Sequence, residues 1–147
     1  MTMYWKFAGS LVVSLGVMYL LAFSQIDQLD HFKGSLSVLW ISLSMVSAMG
    51  LVMLVAMGGM LKDRRLNIGL AVLFVLLLVG AFSASRVEAF VGDDAFLGSM
   101  IPHHSRAIHM CQEAELRDPQ IVDLCGRIIE AQREEIAEME AIIARRD

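Results

Sequence analysis

The chain has 147 residues, 56% of them hydrophobic, with a formal net charge of −4 and a mean hydropathy of +0.60. That is too apolar for an ordinary soluble domain of this size and points to membrane spans. The acidic charge sits mainly after residue 86; it argues against nucleic acid as a partner and is compatible with cation binding, although such carboxylates are as readily a solvated helix face.

From Tyr4 to Phe23 the chain reads as one apolar helix, entered through Tyr4, Trp5 and Lys6, residues suited to a membrane interface. The apolar run exceeds the core of a secretory signal, and Leu21-Ala22-Phe23-Ser24 offers no small-x-small cleavage site, so a retained span over 4–23 is expected. A polar loop over 25–34 leads to a second span over 35–61, and the basic turn Lys62-Asp63-Arg64-Arg65 leads to a third over 66–85. The basic turn carries three cationic residues, whereas the first loop has Lys33 beside Asp27 and Asp30. By the positive-inside rule the basic turn is cytoplasmic. The N-terminus is then cytoplasmic and everything after Arg86 exoplasmic, which in a bacterium with this chain in its inner membrane is the periplasm. The expected division is a three-span anchor in lipid, 1–86, and an exoplasmic domain, 87–147.

The second span holds Met45, Met49, Met53 and Met57 at steps of four. Such a ladder can pass soft ions, but methionine also fills gaps between helices. Ser44, Ala48, Gly50, Ala56, Gly58 and Gly59 nearby are the small residues of close helix packing. The stripe is expected to pack rather than to conduct.

After a short linker, Asp93 or Asp94 can cap a helix running to about Arg117, interrupted at Pro102, where a kink or restart just before His103 is expected. Asp118-Pro119 supplies an N-cap and an N1 proline for a second helix to about Arg145. Val122, Cys125, Ile129, Gln132, Ile136, Met139 and Ile143 form a seam with steps of three and four, as do Leu97, Met100, His104, Ala107, Cys111 and Ala114. Folding about Asp118 sets opposite each other residues whose numbers sum to about 236, by equal helix rise. Cys111 then faces Cys125, His104 faces Gln132, and Leu97 faces Met139. In an oxidising compartment the cysteines can form a disulfide; reduced core cysteines or extra Cu(I) ligands are the alternatives. Two helices alone make a poor core, so a second copy completing a four-helix bundle, as a homodimer or higher oligomer, is expected.

The stretch from Met100 to Cys111 gathers three of the four histidines with two methionines and a cysteine. On a helix Met100 lies one turn before His103 and His104, a chelating spacing. Thioether with imidazole is a soft set that suits Cu(I) better than Cu(II), with zinc less favoured and hard cations excluded. Met110, seven residues past His103, is too far along the axis to share an ion with it easily. Met139 falls near the level of Met100 as a further soft donor, and Gln132 as a hydrogen-bond partner for a ligating histidine. Each methionine alone would more ordinarily be core, and Gln132 solvent-facing. His109 and the glutamates 130, 134, 135, 138 and 140 read as surface.

Phe96-Leu97-Gly98-Ser99-Met100-Ile101-Pro102-His103-His104 through Met110, followed by Ile128 to Met139 with Gln132 and Glu135-Ile136 inside it, resembles the ferritin-like family catalogued as domain of unknown function 305. The resemblance covers about Asp93 to Ile143 and leaves the three spans outside. It implies an all-α exoplasmic domain whose relatives bind copper through methionine and histidine and take part in copper resistance. Carried onto matching positions, it nominates Met100, His103, His104, Met110 and Met139. His109, Cys111 and Cys125 depart from the family pattern.

The leading expectation is a membrane-anchored copper-binding protein, not an enzyme, that sequesters copper or hands it to a copper-handling partner. A ferritin-like metalloenzyme needs Glu-x-x-His on inward faces, but Met100, Ile101 and Arg106 stand three residues before the three histidines. A structural bundle that dimerises a membrane anchor explains the heptads but not the paired histidines.

Overall fold

A computed structural model describes residues 2–146. Among them the fold is all-α: α1 (Thr2–Leu21), α2 (Leu36–Ala56), α3 (Arg64–Arg86), α4 (Asp93–Glu113) and α5 (Pro119–Arg146), with one 3-10 turn at Leu29–His31. Met3–Leu21, Leu36–Ala56 and Arg64–Arg86 are long and apolar enough to cross a membrane. The chain divides into two compact units.

The first unit holds α1, most of α2, and α3 with the residues up to Phe90. α2 stops at Ala56 rather than at residue 61, because Gly58-Gly59 follows and carries the chain into a turn in which the amides of Met60 and Leu61 both donate to Met57 O. α3 begins before residue 66 because Asp63 caps it, its Oδ1 accepting from the amides of Arg65 and Leu66 at 3.0 Å each. Phe7, Leu11, Val46, Leu54, Leu61 and Phe74 form the buried core. Gly50 admits the Phe74 ring, which lies 3.0 Å from where a Cβ would stand. Met49, Met53 and Met57 pack against this core whereas Met45 is half exposed, so the methionines do not share one environment.

The second unit joins α4 and α5 to Ala22–Leu36, so the first loop belongs with the C-terminal hairpin and not with the anchor. That loop has its own apolar contact, Phe23 edge-on to Phe32 at 4.7 Å. Its 3-10 turn lies against α4. The hairpin core is Leu97, Ile101, Ile108, Ile136 and Met139, with Met100, Ile129, Ile142 and Ile143 packed against it.

α4 runs through Pro102 without the restart that was one of the two outcomes expected there. The proline forfeits one backbone bond, but Ile101 and Pro102 are both buried, and that packing holds the helix through the defect. Gly92, not Asp93 or Asp94, is the N-cap; the two aspartates sit in the first turn, where they complement the helix dipole and meet Arg146 at 3.1 Å each. α4 ends at Glu113, four residues short of Arg117, with Ala114 extended. The extended residues before Pro119 give the chain room to reverse. Asp118 Oδ1 accepts from the Gln120 amide at 2.8 Å as α5 opens.

Candidate metal centre

The candidate ligands sit on α4 and α5, which pack against each other in the second unit. His104 is buried, and its Nδ1 lies 2.8 Å from Met100 O. A carbonyl only accepts, so Nδ1 carries the hydrogen, and Nε2 is the nitrogen left for other chemistry. A metal-ligating histidine is ordinarily oriented in this way, by one nitrogen tied to a backbone carbonyl. Nε2 lies 2.8 Å from Glu135 Oε2 on α5.

Gln132 Nε2 donates to the same Glu135 oxygen at 3.1 Å. The register estimate set Gln132 against His104; the structure instead interposes Glu135, which the sequence had placed on the outer face. Side chains on a helix lean toward its own N-terminus. In this antiparallel pair His104 therefore leans away from the hairpin turn and Glu135 back toward it, which moves the contact one turn along α5.

Met100 and Met139 enter the same apolar cluster, one from each helix. Met139 is buried and Met100 partly so. One turn separates Met100 from His104 on α4 and Met139 from Glu135 on α5, so both methionines follow the His104–Glu135 contact on the side remote from the hairpin turn. His103 is exposed, its ring edge-on to that of His104 with 5.8 Å between centroids. The donor chemistry fits a soft ion: one oriented imidazole, a second at its edge and two thioethers. Among the described residues no three of His, Cys, Asp and Glu converge, so a site made from those types alone is not formed.

Met110 is not brought to this cluster. It is 61% exposed and lines a separate cleft of about 370 Å3 with Gln25, Arg106, His109 and Glu113. His109 is there too, half-buried in the cleft rather than on open surface. Cys111 and Cys125 are joined in a disulfide with Cα atoms 5.4 Å apart, closing the turn end of the hairpin.

Two polar residues of this unit escaped the sequence reading. Ser105 is fully buried; its Oγ accepts from the Asp27 amide at 2.7 Å and lies 2.8 Å from His31 Nδ1. Only a long-range contact creates their role, so no local spacing announces it. Glu135 carried a usable signal: it stands three residues after the polar seam residue Gln132 and next to the seam residue Ile136.

Residues 80–143 match the family model described as Domain of unknown function (DUF305). The match takes in the end of α3, all of α4 and most of α5, and leaves α1, α2 and the first loop outside. An uncharacterized protein of Acanthamoeba polyphaga mimivirus is 36% identical over 77 residues, which is 51% of this chain and 51% of that protein. The chain thus covers about half the length of this curated relative. No solved structure matches significantly.

Proposed function

We propose that this is a membrane-anchored protein whose exoplasmic hairpin binds copper, Cu(I) in preference to Cu(II) and zinc, to sequester the metal or deliver it to a copper-handling partner. It binds rather than catalyses. The observation that carries the reading is that Met100 and Met139, from different helices, enter one apolar cluster, with Met100 one turn before a histidine whose Nδ1 lies 2.8 Å from Met100 O. Met100, His104 and Met139 would hold the ion with His103 at its edge, while Met110 lies outside this set. Thioether sulfur offers little to zinc but stabilises Cu(I), whereas imidazole serves both.

The likeness of residues 80–143 to the DUF305 family supports the reading, as do three apolar helices that anchor the hairpin to a bilayer. The basic turn at Lys62, Arg64 and Arg65 favours an orientation with that turn cytoplasmic and the hairpin outside, the periplasm if the host is a bacterium. A second copy would cover the apolar residues left half exposed near the turn, Ile121, Val122 and Leu124; the mass of the detergent-solubilised protein decides between one chain and two.

The test is metal analysis and anaerobic Cu(I) competition on the full-length protein, with the His103→Ala, His104→Ala double variant as control. Stoichiometric copper that the double variant loses supports the reading. Equal copper retention by the two proteins excludes it.

A further inference from the structure

His104 stands between two unlike surroundings. One turn away along the hairpin, remote from its turn, Met100 and Met139 enter an apolar cluster. On its outer side is the Glu135 carboxylate, whose side chain is 52% exposed against 10% for His104. Among the described ion pairs Glu135 is the carboxylate that touches a histidine of the Met100 to Cys111 stretch. Gln132 holds its Oε2 in place from the preceding turn of α5.

We propose that Glu135 and His104 form a second donor set at this centre, cis ligands of Cu(II), sharing the one coordinating nitrogen, Nε2, with the Cu(I) set, so that the two oxidation states bind in alternation and not together. This rests on the copper reading above and adds to it a ligand and an oxidation-state preference. Cu(II) takes nitrogen and oxygen donors in square-planar or tetragonal geometry, with ligands at right angles. Two bonds of about 2.0 Å at a right angle span about 2.8 Å, and the Nε2 to Oε2 separation is 2.8 Å. The backbone therefore needs no rearrangement to present both atoms to one ion. The half-exposed carboxylate leaves the remaining positions to water, as a doubly charged ion requires, whereas an apolar interior with sulfur donors favours the singly charged, soft ion. Gln132 acts as a positioning residue, orienting the carboxylate through its hydrogen bond.

The experiment uses full-length protein in detergent, titrated separately with a Cu(II) salt, read by electron paramagnetic resonance and chelator competition, and with Cu(I) under anaerobic conditions. The parent is expected to give an axial Cu(II) signal with coupling to one imidazole. Glu135→Gln, which keeps the side chain's size and its acceptor for Gln132, should weaken Cu(II) by about tenfold or more and leave Cu(I) unchanged. Met100→Leu with Met139→Leu should do the reverse. Unchanged Cu(II) binding in Glu135→Gln overturns the proposal, as does equal weakening of both states. Coupling to more than one imidazole in the parent overturns it without reference to any variant. A parent that binds Cu(I) but not Cu(II) defeats this proposal alone, and one that binds neither defeats the copper reading as well.

Discussion

Ser105 Oγ, fully buried on α4, lies 2.8 Å from Nδ1 of His31 in the first loop and accepts the Asp27 amide at 2.7 Å. One hydroxyl thus ties a loop that follows the first span to the helix that carries His103 and His104. Ser105→Ala would leave the Asp27 amide and a buried imidazole nitrogen without their partner, a cost of about 1–3 kcal/mol per buried group. Hydrogen exchange at the Asp27 amide should accelerate at least about tenfold in Ser105→Ala. Exchange as slow as in the parent would show that the loop is held by other contacts.

Two glycines make an opposed pair. A Cβ on Gly98 would stand 3.0 Å from the backbone oxygen of Gly34, so Gly98→Ala must push the loop away from α4. Gly126 on α5 has nothing within 4 Å of its Cβ position, so Gly126→Ala gains helix propensity without a clash, about 0.5–1 kcal/mol. Thermal unfolding should therefore shift down for Gly98→Ala and up for Gly126→Ala. Equal shifts in one direction would contradict the loop docking.

The spans and the hairpin were legible because apolar runs and a three-four seam are properties of neighbouring residues. So was the pairing register, since Asp118-Pro119 marks the turn and equal helix rise does the rest. The register placed Cys111 opposite Cys125, which the structure joins, but it missed Glu135 by one turn because side chains lean along the helix axis while residue numbers do not. Of the two outcomes expected at Pro102, the restart did not occur, because tertiary burial outweighs a local propensity. The docking of residues 22–36 was not legible at all: it depends on Ser105 and Gly98 meeting residues some seventy positions earlier, which no periodicity encodes.

The Cys111–Cys125 bond closes a loop with a sequence separation of 14 at the end of the hairpin remote from Asp93. Constraining the unfolded chain over such a loop contributes about 3 kcal/mol. Unreduced protein should take up no thiol-alkylating reagent, and reductant should expose two sites and lower the unfolding temperature of the hairpin. Alkylation of both cysteines before reduction would show that the bond does not form in the compartment where the protein resides.

Orientation has its own check. Residues 22–36 and α4–α5 form one unit, so a reporter active only outside the cytoplasm should give signal both when inserted at the exposed Gln28 and when fused after Arg146. Signal from a cytoplasm-only reporter at either site would reverse the orientation and remove the role in exoplasmic copper handling.

The most direct test of the central claim is the Cu(I) affinity of full-length protein in which Met100 and Met139 are both leucine. Leucine keeps the volume and apolar character of methionine, so the cluster with Leu97, Ile101 and Ile136 should survive at a cost below about 1.5 kcal/mol per site. Helicity should be unchanged while Cu(I) affinity, measured anaerobically against a competing chelator, falls by about tenfold or more. If the leucine protein holds Cu(I) as tightly as the parent, the two methionines are packing residues and the copper centre described here is wrong.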